Sequence, residues 1–93
     1  MKILANDGIS QSGIDALEKG GFEVLNVSVA PNQLENYINE NNIDALIVRS
    51  ATQVQQELID GCPSLKLIGR AGVGMDNIDV NYAINSGLHV INT

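Results

Sequence analysis

Five aliphatic runs recur along the chain at nearly even spacing: KILA from Lys2, FEVLNV from Phe22, ALIV from Ala45, LKLIG from Leu65 and LHVIN from Leu88. Their starts lie about 20 to 23 residues apart, which leaves room for one helix and two short loops each time. That alternation is the rhythm of βα units, and it narrows the fold to a parallel sheet with right-handed helical crossovers. ALIV has no polar position and reads as a central strand covered on both faces. Glu23, set between apolar neighbours, suits an edge.

The segments between these runs carry helical signals. In the first, Ser10 or Ser12 can cap, Ile14 and Leu17 share a face, and Gly20-Gly21 stops the helix. The second opens at Pro31, a favoured first-turn residue, with Leu34, Tyr37 and Ile38 on one stripe. The third pairs Val54 with Leu58 and ends near Gly61, ahead of Pro63. The fourth has Asp79 as N-cap, an inner face of Val80, Ala83 and Ile84, and Gly87 as its stop. The expected fold is therefore α/β: a flavodoxin-like five-stranded parallel sheet of order 2-1-3-4-5 with four helices. In that order the second, third and fourth helices share one face, and the first shares the other with a fifth. No fifth helix follows the last strand here, so half of one face is expected to be bare. The expectation that follows is a piece of a longer protein, with a tendency to self-associate through the bare face.

Bulk properties agree with one small domain. The chain has 93 residues, is 44% apolar with few aromatics, and carries a net charge of −6. Aliphatic side chains must build the core, and no basic stripe offers itself to nucleic acid or to an anionic membrane surface. The single cysteine, Cys62, cannot form an internal disulfide, and no apolar run approaches a membrane span. The opening MKILANDG turns polar too soon for a signal peptide, so a cytoplasmic setting is expected.

In an open parallel sheet, ligands bind beyond the carboxyl ends of the strands, at the switch in strand order. The loops that open there are Asn6-Asp7-Gly8, Arg49-Ser50-Ala51-Thr52 and the glycine run GRAGVGMDNID. Both arginines of this acidic chain, Arg49 and Arg70, fall in these loops, which suits an anionic ligand as well as simple solvation. The glycine run is not a dinucleotide fingerprint: Gly72-Val73-Gly74 lacks the third glycine and follows the fourth strand rather than the first. Its glycines fit an anion-binding nest of backbone amides, or a plain flexible turn. His89 has no second histidine to work with, Cys62 has no electropositive neighbour, and no metal-ligand cluster is present in the sequence.

VRSATQV followed by LIGRAGVGMDNIDV resembles the substrate domain of the D-isomer-specific 2-hydroxyacid dehydrogenases. The resemblance is diffuse over the first 43 residues and specific from Asp44 to Thr93. It implies that residues 1–93 are a fragment of the substrate (catalytic) domain, with the NAD-binding Rossmann domain absent from this chain. It implies an oxidoreductase using NAD, held mainly by that absent domain, and among family members those oxidising 3-phosphoglycerate in serine biosynthesis. In the family a histidine takes the proton of the C2 hydroxyl while C2 delivers hydride to NAD, and an arginine holds the carboxylate. No position here matches those catalytic residues, so the fragment is expected to be inactive alone.

By the same resemblance, Arg49 and Ser50 face the substrate, Arg49 toward its anionic end. The amides of Val73 and Gly74 receive the carboxylate, and Gly72 shapes that turn. Val73 also matches a position near the nicotinamide, a marginal cofactor contact, and Arg70 has a structural role at the loop base. The parent is expected to be a homo-oligomer with a small anionic substrate and neither nucleic acid, membrane nor metal as partner. One alternative is another D-2-hydroxyacid dehydrogenase, of the glycerate or hydroxypyruvate type. Another is a receiver-like signalling domain, although that would need clustered acids where Arg49-Ser50 stands.

Overall fold

A computed structural model gives the fold, and it describes residues 1–7, 11–49, 52–70 and 78–92. The strands are β1 (Lys2–Ala5), β2 (Glu23–Leu25), β3 (Ala45–Val48), β4 (Leu67–Arg70) and β5 (His89–Asn92), and the helices are α1 (Gln11–Lys19), α2 (Pro31–Glu40), α3 (Gln56–Gly61) and α4 (Val80–Asn85). All five strands are parallel and lie in the order β2-β1-β3-β4-β5. The expected topology is the observed one, with Glu23 on the edge strand.

The register explains the core. Leu4 is aligned with Leu25 on one side and Leu46 on the other, Leu46 with Ile68, and Ile68 with Val90. Adjacent parallel strands in register put these residues in one row on one face. Leu4, Leu46 and Ile68 are buried there with Leu34 and Ile38 from α2, Ile59 from α3 and Ala83 from α4; Leu25 and Val90 flank them. Three successive crossovers in one lateral direction, all right-handed, bring those three helices to that face. The step from β1 to β2 runs the other way, so α1 takes the opposite face, and it contributes nothing to the main core cluster.

That opposite face is unevenly covered. Ile3, Ala5 and Ala45 are buried, Ile47 and Leu67 are only half-buried, and Ile91 is 47% exposed. The half of the face over β4 and β5 is open among the described residues, as the strand order led us to expect. ALIV is accordingly covered fully on one face and partly on the other.

Two local expectations are corrected, for Val54 and Ile84, and the choice of cap for α1 is narrowed. Ser12 does not cap α1, because the helix already begins at Gln11; Ser10 lies outside the described residues. Val54 is not on α3, since it forms an isolated parallel bridge with Ile78 and its carbonyl accepts from the Asp79 amide at 2.9 Å. Its backbone is thus committed before the helix starts. Ile84 is 54% exposed, because α4 lies at the end of its layer and buries only a narrow stripe around Val80 and Ala83. Asp79 caps α4 as expected, its carboxylate accepting from the Tyr82 amide at 3.2 Å, and Gly87 follows the helix at φ +92°, a conformation glycine adopts freely.

Candidate functional site

At the carboxyl edge of the sheet, β1 ends in two polar residues that face different ways. Successive residues leaving a strand project to opposite sides; Asn6 reaches the loop between β2 and α2, and both Asn6 and Asp7 converge on Thr52 in the loop after β3. The Asn6 carboxamide accepts from the Val29 amide at 2.7 Å, in the loop between β2 and α2, and its Nδ2 donates to Thr52 Oγ1 at 2.8 Å. A longer contact of 3.4 Å runs from Nδ2 to the Val29 carbonyl. The Asp7 carboxylate turns to the loop after β3. Its Oδ2 accepts from the Arg49 amide at 2.7 Å and the Thr52 amide at 3.1 Å, and its Oδ1 accepts from the Thr52 hydroxyl at 2.5 Å.

Burial raises the stakes of this network. Asn6 and Thr52 are 4% and 6% exposed, the buried polar residues among those described. A buried polar group without a partner costs about 1–3 kcal/mol, and no described buried side-chain polar atom here lacks one. The network therefore ties two loops, that between β2 and α2 and that after β3, to the end of β1 at the place where β1 and β3 meet, which is the switch in strand order.

Arg49 stands immediately after β3 with an exposed side chain, at the open edge where the resemblance puts a substrate contact. Ser50, Gly72, Val73 and Gly74 lie outside the described residues. The ends of the segment that carries the three glycine-run positions are nonetheless placed. Arg70 closes β4, in register with Val48 and Asn92. Ile78 is bridged to Val54, just beyond Thr52, and Gln56 Nε2 donates to Asp79 Oδ2 at 3.3 Å. The loop after β3 and the chain entering α4 are thus joined side by side.

Sequence reasoning named the loops but missed Asn6, Asp7 and Thr52 as their organisers. A signal was present: an Asn-Asp pair directly after a buried strand stands where its polar groups can meet those of neighbouring loops. Cys62, read as a helix-end filler, is 2% exposed at the C-cap of α3, and its thiol is pushed up to about 11 by burial and by the Glu35 charge. A thiol held protonated is a poor nucleophile. His89 is exposed on β5. No group of His, Cys, Asp or Glu among the described residues could hold a metal, and no described helix is long and apolar enough to cross a membrane.

Comparison with known proteins places this edge in context. D-3-phosphoglycerate dehydrogenase of Archaeoglobus fulgidus is 42% identical over 92 residues, covering 99% of this chain and 17% of that protein. Hydroxypyruvate reductase of Thermotoga maritima is 38% identical over 93 residues, covering 99% of this chain and 30% of that one. Among solved structures, NAD+-bound 3-phosphoglycerate dehydrogenase of Entamoeba histolytica superposes with a TM-score of 0.81 at 29% identity, covering 100% of this chain and 32% of that chain. The chain thus spans about a sixth to a third of the length of these relatives. Residues 3–93 match the catalytic domain of the D-isomer specific 2-hydroxyacid dehydrogenases, and the chain belongs to that family.

Proposed function

We propose that residues 1–93 are the substrate domain of an NAD-dependent D-3-phosphoglycerate dehydrogenase that oxidises 3-phosphoglycerate to 3-phosphohydroxypyruvate. The observation that carries this reading is the 42% identity to the Archaeoglobus enzyme across almost the whole chain. Family membership sets aside the receiver-like alternative. In this reading Arg49 holds the anionic end of the substrate, beside Ser50, through charge-assisted hydrogen bonds. The amides of Val73 and Gly74 receive the carboxylate in a turn shaped by Gly72, and Arg70 supports the base of that turn.

Among the described residues, those that follow β1 do not fit NAD as a cradle. The turn after β1 has no glycine fingerprint, and the Asp7 carboxylate stands there, already engaged by the loop after β3. A negative group with its acceptors filled would oppose a pyrophosphate rather than bind it. The cofactor is therefore assigned to a separate domain of the longer protein, with Val73 at most a marginal contact, and the catalytic groups are assigned there too. A homo-oligomeric parent in the cytoplasm, bound to neither nucleic acid nor membrane, accords with a metabolic enzyme of this family.

The test is direct. The full-length protein, given NAD and 3-phosphoglycerate, is expected to generate NADH with a kcat/KM at least about ten-fold above that for glycerate or lactate. The 93-residue chain alone is expected to generate none; turnover by it would refute the assignment of catalysis elsewhere. Arg49→Ala in the full-length protein is expected to raise the KM for 3-phosphoglycerate about ten-fold or more, since hydrogen bonds to charged groups contribute about 1.5–3 kcal/mol. The similarity to the Thermotoga hydroxypyruvate reductase supports a second reading, in which glycerate or hydroxypyruvate is preferred. A full-length enzyme faster on hydroxypyruvate than on its phosphorylated counterpart would decide for it.

A further inference from the structure

We propose that Asp7 is the positioning residue of the candidate substrate site: its carboxylate sets the loop after β3 and thereby aims Arg49. This rests on the reading above, in which Arg49 binds the anionic end of the substrate. Asp7 lies 42 positions from Arg49 in sequence, yet its Oδ2 takes the Arg49 amide at 2.7 Å. That bond fixes the point from which the arginine side chain departs. The same carboxylate takes the Thr52 amide at 3.1 Å and the Thr52 hydroxyl at 2.5 Å, so both ends of the short stretch 49–52 hang on one side chain.

The cage is closed from behind. Thr52 Oγ1, while donating to Asp7, accepts from Asn6 Nδ2 at 2.8 Å, and Asn6 is itself held by the Val29 amide at 2.7 Å. Three donors converge on one carboxylate, an arrangement that a carboxylate's acceptor-only oxygens satisfy in full. β1 and β3 are adjacent, register-matched strands, with the Asn6 amide also donating to the Ile47 carbonyl at 3.0 Å. The platform under Asp7 is therefore tied into the sheet, and Arg49 and Thr52 take their backbone positions from it. An arginine on a long, flexible stem loses binding if its base shifts, because the bidentate geometry that recognises carboxylate or phosphate is specific in angle as well as distance.

The test uses the full-length protein. Asp7→Ala removes all three acceptor contacts and is expected to raise the KM for 3-phosphoglycerate about ten-fold while kcat stays within about two-fold, the signature of lost uniform binding. Asp7→Asn keeps a carbonyl oxygen for the Arg49 and Thr52 amides, and the Thr52 hydroxyl can turn to accept from the new amide group. It is expected to recover most of the affinity, which a merely local loss of charge would not allow. In an Arg49→Ala background, Asp7→Ala is expected to add less than about two-fold to KM.

A KM for Asp7→Ala within two-fold of the parent, or an effect that persists in full without Arg49, overturns the proposal. If instead Arg49→Ala itself leaves KM unchanged, the assignment of Arg49 to the substrate fails, and the positioning role falls with it; the two failures are told apart by that single variant. Should Asp7→Ala not fold, Thr52→Val, which deletes one donor to Asp7 and the acceptor of Asn6, is expected to raise KM about three-fold, and Thr52→Ser, which keeps the hydroxyl, to leave KM near that of the parent. No change with Thr52→Val would likewise count against the cage.

Discussion

Asn6 and Cys62 are both buried, and chemistry separates their roles. The Asn6 carboxamide satisfies an amide of one loop and a hydroxyl of another, so Asn6→Ala leaves the Val29 amide without its partner inside the fold. A stability loss of about 2 kcal/mol is expected, measured as a lower denaturation midpoint in urea with an unchanged slope. Cys62 makes a different kind of contribution. Burial, reinforced by Glu35, raises its thiol from 9.0 to about 11, so the folded chain holds that proton more tightly than the unfolded one. The linked stability is complete below about pH 9 and is lost as pH rises toward 11, by at most about 1.4 kcal/mol per pH unit. Comparing the pH dependence of unfolding between the parent and Cys62→Ala over that range is expected to show a steeper loss in the parent, the difference being the Cys62 contribution.

Between strands, the pattern of apolar residues decided most of what was legible. ALIV announced its strand because a parallel strand buried in a sheet needs no polar positions, and KILA did so through the three apolar residues after Lys2. The α2 stripe of Leu34, Tyr37 and Ile38 was readable from its i, i+3, i+4 spacing, which puts one apolar face on a helix. Val54 was not readable as a bridge residue, since its spacing to Leu58 mimics a helix and its true partner, Ile78, is distant in sequence. The Asn6–Asp7–Thr52 network escaped likewise: periodicity reports which residues are buried, and it is silent on which polar groups meet across loops. Of the candidate site, the chain alone pointed to the carboxyl edge of the sheet and to Arg49, while the carboxylate beneath Arg49 emerged only from the geometry. At this scale Gly69 offers a test. A Cβ there would meet Ile91 Cγ1 at 3.4 Å and Ile47 Cγ1 at 3.7 Å, ordinary contact distances, with no positive φ to forbid it. Glycine inside a strand costs about 0.5–1 kcal/mol relative to alanine, so Gly69→Ala is expected to raise the thermal midpoint by a few degrees, read by circular dichroism.

For the molecule as a whole, the uneven covering of the sheet dominates. Ile91, Leu67 and Ile47 share the open half-face, and an apolar surface of that kind favours association. The isolated 93-residue chain is expected to self-associate as concentration rises, and Ile91→Lys to weaken that; light scattering showing an unchanged monomer at all concentrations would refute the first expectation. The opposite behaviour is anticipated at the carboxyl edge, where loops would ordinarily be the first parts of a fold to loosen. The amides of Val29, Arg49 and Thr52 all end on side chains of β1's last two neighbours, Asn6 and Asp7. Amide protons protected by one shared opening event exchange together, so in deuterated water these loop protons should persist as long as one another and vanish as a group when Asp7 or Asn6 is replaced.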